Sequence, residues 1–348
     1  MKITRTQTVN SLFKEIAKII SESKDTVIKS VNSALVINNY LVGKQIVEFE
    51  QSGKPRADYA AKTLTQLSIK LTKQFHKGFS VDNLENMRMF YMVYRKSETV
   101  SRKSKSHAVA VPKVNLPSFQ LSWSHYILLM KMSEAERGFY EIESVSQNWS
   151  VRELQRQYNS ALYDRLSVSK SKSKIKALSK RGHVVATIHD ALKEPYILEF
   201  LELKEEHEYS ETDLEKAIID KLQEFMLELG KGFLFAGRQV RFTFDEEHYF
   251  VDLVFYNRLL KCFVLFDLKI GKIKHQDIGQ MGMYVNYYDR AVKTNEEHPT
   301  IGIILCKQKN NAMVEMTLPK NNNQIFARMY QSFLPSKNQL IAQIKKIK

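Results

Sequence analysis

Cysteine is nearly absent. The two that occur, Cys262 and Cys306, each lie in an apolar run that reads as strand, so both are expected as buried thiols. They supply neither a disulfide framework nor a zinc-binding spacing. Long hydrophobic runs are missing too. No stretch approaches the roughly 20 apolar residues of a membrane span, and no apolar signal core follows Met1 to Arg5. The expected setting is reducing and cytoplasmic, with no membrane. Acidic residues are also in short supply, 38 Asp and Glu against 53 Lys and Arg, for a formal net charge of +15. Such an excess describes a partner rather than a fold: nucleic acid first, an anionic membrane surface second.

The chain has 348 residues, 43% of them hydrophobic, enough for two domains that each build a core. The first ~165 show helical spacing almost throughout. "VNSLFKEIAKIISESKDTVIKSVNSALVINNYLVGKQIVEFE" reads as one or two long amphipathic helices. "QSGKPRADY" breaks the pattern, and "AKTLTQLSIKLTKQF" resumes it. The turn "HKGFS" follows, with Gly78 inside it and Ser80 placed to cap "VDNLENMRMFYMVY". Helix, short glycine turn and capped helix have the shape of a helix-turn-helix, a pairing that plain helix packing also produces. Lys73, His76 and Lys77 before the second helix, and Arg88 and Arg95 along it, favour nucleic-acid contact.

Residues 95–115 are polar and basic and read as a loop or wing. Trp123 and Trp149 are expected in the core of this domain, and His125 as a satisfied structural histidine. "SVSKSKSKIKALSKRG" is low in complexity and reads as a basic linker. Beyond it, "ETDLEKAIIDKLQEFMLELG" is an amphipathic helix ending at Gly230. Aromatic and β-branched runs follow, then "HQDIGQMGMYVNYYDR" as helix and "TIGIILCKQ" as strand. Helix, strands, helix, strand is an α/β pattern.

"FVDLVFYNRLLKCFVLFDLKIG" reads as two apolar strands around a turn at Asn257 to Leu260. Pairing Tyr256 with Lys261 sets Asp252 opposite Leu265. Asp267 and Lys269 then lie on the same face as Leu265, a parity that any even-length turn preserves. Asp252 and Asp267 become diagonal neighbours. Two such carboxylates repel unless something positive sits between them. Lys269 is one candidate. A divalent cation is the other, since Mg²⁺ takes one or two carboxylates with waters and a phosphate oxygen. With a metal there, the parts of phosphodiester hydrolysis are present: a polarised phosphate, a bound water of lowered pKa, and Lys269 to orient that water or steady the transition state. A buried Asp–Lys pair that fixes register is the structural alternative for a bare D-x-K.

Asp, a turn, then (D/E)-x-K on the next strand resembles the PD-(D/E)xK nuclease pattern. More narrowly, the chain is similar to the YhcG-type family of bacterial proteins. The matching words are "GFSVDNLENMRMFY", "LSWSHY", "WSVRELQRQ", "EFLELKEEHEYSETDLEKAIIDKL", "FMLELGKGFLFAGRQ", "VDLVFYNRLLKC", "LKIGK", "GQMGMYVN" and "PTIGIILCK". Their order and spacing run over nearly the whole chain. The resemblance implies a multidomain protein: an all-α, helix-turn-helix-like N-terminal domain and an α/β, restriction-endonuclease-like PD-(D/E)xK domain. Residues 1–168 are expected as a helical, winged-helix or helix-turn-helix-like DNA-binding domain. Residues 169–184 are expected as the basic linker and 185–348 as the nuclease domain.

By the same resemblance Asp252 and Asp267 hold Mg²⁺ or Mn²⁺, and Lys269 is the catalytic lysine. A helix glutamate completes the metal site, Glu211 or Glu215, with Glu215 preferred. Gln280 lies beside the site, with Tyr284 one turn on. Lys77, Arg88, Arg95 and Arg238 are the expected nucleic-acid contacts. Two positions depart from the pattern. Val251 stands where the superfamily name has proline, and Asp267 where the family usually has glutamate, one methylene longer. The implied function is a metal-dependent DNA endonuclease. A catalytically silent nucleic-acid-binding protein of the same fold and an RNA-directed nuclease are the alternatives; no RNA-recognition motif occurs. A homodimer would supply two sites for the two strands of a duplex.

Overall fold

The computed structural model describes residues 9–52, 57–95, 118–167, 172–203 and 209–347. The chain divides into two compact units, Met1–Gln155 and Arg156–Lys348. Among the described residues no helix is long and apolar enough to cross a membrane.

The first unit is helical. Its elements are α1 (Val9–Ser52), α2 (Ala57–Phe75), α3 (Val81–Tyr94), α4 (Trp123–Leu129), α5 (Glu134–Gln147) and the start of α6 (Val151–Asn159). The long amphipathic stretch is therefore one helix. Its C-terminal half packs on α3, where Gly43 allows the backbones to meet: a Cβ there would lie 1.9 Å from the carbonyl oxygen of Met87. Ile46, Leu64, Leu84 and Met87 form one core. Tyr40, Phe90, Tyr94, Phe119 and Tyr126 form an aromatic cluster beside it, with Phe90 5.2 Å from both Trp123 and Tyr126. Ser80 caps α3 by accepting from the Asn83 amide, and Ser133 with Glu136 forms a capping box on α5. His125 is a satisfied structural histidine, with Nδ1 2.7 Å from Ser122 Oγ and Nε2 3.0 Å from the Trp149 carbonyl. Trp149 is buried, while Trp123 is partly exposed and donates to Asn83 Oδ1 at 2.9 Å. The expected wing, residues 95–115, lies from residue 96 on outside the described residues.

The second unit holds the rest of α6 and α7 (Leu162–Ser167), α8 (Lys172–Arg181) and α9 (Ile188–Ala191). After β1 (Tyr196–Ile197) come α10 (Glu211–Asp220), α11 (Leu222–Leu229), β2 (Phe233–Phe244), β3 (Glu247–Asn257) and β4 (Cys262–Lys272). Next are α12 (His275–Tyr287), β5 (Ile301–Gln308), α13 (Asn311–Thr317), β6 (Ile325–Gln331) and α14 (Lys337–Ile347). The strands make one mixed sheet in the order β1-β6-β5-β4-β3-β2. β2, β3 and β4 run antiparallel; β4, β5, β6 and β1 run parallel. Leu214, Ile218, Phe225 and Leu229 of α10 and α11 cover one face with Leu253, Phe255, Phe266 and Leu268. Ile278, Met281, Tyr284 and Val285 of α12 cover the other with Val254, Leu265, Ile304 and Cys306. Cys262 and Cys306 are buried free thiols in strands.

Three features differ from the sequence expectation. The run expected as a linker carries the helix α8, and the compact units part at Gln155. The physical reason is ionic: Arg156 and Arg165 are bound into the second unit by Glu199 and Glu228. The helix before the sheet is two helices, broken at Lys221. The hairpin register is shifted: Asn257 pairs with Cys262, and Leu253 with Phe266. Asn257 closes its strand because its side chain accepts from the amides of Leu259 and Leu260, at 3.0 and 3.1 Å. The turn is thus residues 258–261, of even length, so the expected parity holds.

Candidate active site

The β3–β4 ladder ends at Leu253 and Phe266, and the next residue outward on each strand is an aspartate. The shift in register therefore sets Asp252 and Asp267 at one rung rather than on a diagonal. Asp252 Oδ2 accepts from the Leu268 amide at 2.8 Å, which fixes the carboxylate against β4. Asp267 is only 3% exposed. Its Oδ2 lies 3.0 Å from Lys269 Nζ as an ion pair but accepts no hydrogen bond.

Helix α10 brings two glutamates one turn apart. Its N-terminus is fixed by Ser210, which caps it in a box with Asp213. Glu211 Oε2 lies 3.5 Å from Lys269 Nζ. Glu215 Oε2 accepts from Gln239 Nε2 at 2.6 Å, and the same nitrogen donates to Asp252 Oδ1 at 3.0 Å. Both glutamates thus reach the constellation, Glu211 through Lys269 and Glu215 through Gln239. Gln239 was not singled out in the sequence. Its backbone is left-handed, φ 44°, uncommon for a residue with a side chain and frequent at functional sites. The available signal is Gly237 two residues before it, a strand glycine that marks a bulge; the ladder shifts between Phe235 and Gly237.

The charges here are unbalanced. Burial pushes the Asp267 carboxyl up to about 7; Lys269 opposes the rise and Asp252 adds to it. Burial also raises Asp252, against the Leu268 amide, Lys269 and Gln239. Glu215 is raised by burial and by Asp252, against its bond from Gln239. Burial acts to lower the Lys269 ammonium, but Asp267, Glu211 and Asp252 outweigh it and hold the pKa above the usual lysine range. One ammonium therefore does not compensate the carboxylates around it.

Among the described residues no group of three or more His, Cys, Asp or Glu gathers as a ready metal cage. The donor set still fits a hard cation. Mg²⁺ needs one or two carboxylates and completes its shell with waters and substrate phosphate oxygens. Asp252 and Asp267 supply the two, and the buried Asp267 Oδ2 has only the Lys269 ammonium, at 3.0 Å, beside it.

The other expected residues fall as follows. Gln280 is exposed on α12 and bonds Tyr284 Oη, not either aspartate. Tyr284 is buried and its pKa is raised, mainly by burial, with smaller contributions from Asp267 and Asp252. Arg238 is exposed beside Gln239, and its charge acts on Glu215. Lys77 and Arg95 are exposed in the first unit, in the turn before α3 and at its C-cap. Arg88 is engaged by Glu50, Nε to Oε2 2.6 Å.

A sheet flanked by helices, with Asp252, Asp267 and Lys269 converging where the β3–β4 ladder ends, defines the PD-(D/E)xK class of nuclease domain. Residues 189–345 match the family described as "YhcG PDDEXK nuclease domain", and residues 15–165 match "DUF1016 N-terminal domain". The protein named "Putative nuclease YhcG" of Escherichia coli (strain K12) is 36% identical over 345 residues, 93% of this chain and 90% of that one. Among solved structures, a repair endonuclease from Pyrococcus abyssi aligns at a TM-score of 0.25 and 15% identity, over 38% of this chain and 50% of that one. The chain belongs to the YhcG family.

Proposed function

We propose that this protein is a metal-dependent DNA endonuclease whose helical N-terminal region binds DNA. The observation that carries the reading is the surplus of buried carboxylate at Asp252 and Asp267, beside one lysine. Asp252 and Asp267 would hold the metal, Mg²⁺ or Mn²⁺, with Glu215 as the third carboxylate. When bound, such an ion polarises a phosphate oxygen and acidifies a bound water. The raised pKa of Lys269 keeps it protonated at neutral pH, so it acts as a donor and not as a base. Its ammonium orients the attacking water or the non-bridging phosphate oxygen while Asp267 and Glu211 fix its position. Gln239 spaces Glu215 from Asp252 and keeps the two carboxylates from repelling. Arg238, Lys77 and Arg95 offer exposed cationic groups to phosphates.

The test is incubation of the protein with plasmid, linear and branched DNA in Mg²⁺ or Mn²⁺, beside Lys269→Ala. Cleavage that needs the metal and falls at least about 10²-fold in the variant is expected. Equal cleavage by the variant, or none by the wild type, sinks the assignment. DNA binding that persists in EDTA without any cleavage would instead support a silent binding protein.

A further inference from the structure

The β2–β3 hairpin outruns its sheet. β3 pairs with β4 only from Leu253 to Asn257, whereas β2 and β3 stay paired out to Phe244 and Glu247. Residues 240–251 thus form a two-stranded arm rooted at the candidate active site. One side of the arm is anchored: Phe242 stacks on Tyr287, with centroids 4.1 Å apart and planes at 15°, and on Tyr249 at 5.4 Å. The other side carries Arg241, Thr243, His248 and Phe250, all exposed. Phe250 is 45% exposed.

This outer side is organised. Arg241 Nη2 lies 3.2 Å from His248 Nε2, and Thr243 Oγ1 lies 3.0 Å from His248 Nδ1. A guanidinium can only donate, so Nε2 accepts and Nδ1 carries the proton toward the threonine. The imidazole holds Arg241 in place. At the root stand Arg238 and the left-handed Gln239, which touches Asp252. Phe250 precedes Asp252 by two residues, roughly 7 Å along the strand. The turn at the far end is acidic, Asp245-Glu246-Glu247, with φ 50° and 63° at the first two.

We infer that the outer side of this arm holds one unpaired nucleic-acid strand where it leaves the cleavage site, with a base stacked on Phe250 and a phosphate on Arg241. The inference rests on the nuclease reading above. A stacked duplex hides the faces of its bases, so an exposed phenyl ring gains little from it; an unpaired base offers its whole face. The charge order agrees. A strand leaving Asp252 meets Arg238 and Arg241 first. The acidic turn then repels a phosphate backbone, which disfavours a continuous duplex lying along the full arm.

The test measures binding in EDTA, apart from cleavage, by fluorescence anisotropy. The probes are a short single strand, a splayed duplex with unpaired arms and a blunt duplex, with 2-aminopurine at the first unpaired positions. Wild type is compared with Phe250→Ala and Arg241→Ala. Phe250→Ala is expected to weaken the single strand and the splayed duplex about tenfold. Its affinity for the blunt duplex stays unchanged, and the 2-aminopurine quenching seen with wild type is lost. Arg241→Ala weakens the same two probes and flattens their salt dependence. Equal weakening on all three probes, unchanged affinity for all, or a changed oligomeric state as the sole effect overturns the inference. Cleavage by wild type in Mg²⁺ is scored separately. Cleavage without a preference for unpaired DNA sinks the arm alone, and an intact preference without cleavage sinks the nuclease reading while supporting the arm.

Discussion

At the scale of single residues, Gln239 gathers the most consequences. One amide nitrogen binds two carboxylates that would otherwise repel across the site. Gln239→Ala removes both bonds from an exposed side chain, so folding is nearly untouched while Glu215 and Asp252 lose their fixed spacing. Loss of a partner that orients a metal ligand costs about 10–100-fold in metal affinity or activity. The expected result is that loss, seen by Mn²⁺ titration calorimetry and by cleavage rate, with an unchanged melting temperature. Wild-type affinity and rate in the variant would remove Gln239 from the site. Asp252, Asp267 and Lys269 were legible in the sequence because their sign conflicts with the apolar strands around them and their parity survives any even turn. Gln239 was not, because a single left-handed residue inside a strand leaves no trace in a period of two.

At the scale of elements, apolar runs located four of the six strands. β1 escaped because it has only two residues, Tyr196 and Ile197. β6 follows directly on a run of asparagines, which hides its strand signal. Register was also hidden, since Asn257 can open a turn or close a strand, and only its two side-chain bonds decide. The least legible feature is the buried cluster on Glu228 of α11. Its carboxylate meets Arg165 of α7 at 2.5 Å, Arg156 of α6 at 3.4 Å and the Ile197 amide of β1 at 3.0 Å. Lys193 binds the Glu228 carbonyl. The sequence holds these residues far apart, with nothing local to link them.

That cluster has a pH signature. Burial raises the Glu228 carboxyl, but Arg165, Lys193 and Arg156 outweigh it and bring it to about 2. An unfolded glutamate titrates near ~4.3. The folded value is the lower one, so the contribution is complete above the unfolded pKa and is lost as pH falls through it toward about 2. Glu228→Gln leaves Arg165 buried without its counter-charge, and about 3–5 kcal/mol of stability is expected to go at neutral pH. The gap between variant and wild type should then close as the pH falls below about 4. Denaturant unfolding of both proteins from neutral to acid pH checks this. A gap that stays constant, or is absent at neutral pH, contradicts it.

At the scale of the whole molecule, the basic excess is shared. There are 23 Lys and Arg against 14 Asp and Glu through Gln155, and 30 against 24 beyond it. Net charge therefore does not name a single DNA-binding unit, and the cations must be separated by what already occupies them. Among the described residues Lys77 and Arg95 are exposed and make no ion pair, whereas Arg88 is held by Glu50 at 2.6 Å. A cation free to meet a phosphate releases a counter-ion when it binds, and a cation already paired has less to release. Lys77→Ala and Arg95→Ala are each expected to weaken DNA binding in the full chain on every sequence tested. Each should also lower the slope of log affinity against log salt by about 1. Arg88→Ala should leave that slope unchanged and instead lower stability, by about 0–1 kcal/mol for a partly exposed pair. Anisotropy titrations over a series of salt concentrations, with a denaturant curve for each variant, distinguish the two behaviours. A reduced slope for Arg88→Ala at unchanged stability would make Arg88 a phosphate contact and Glu50 only its resting partner.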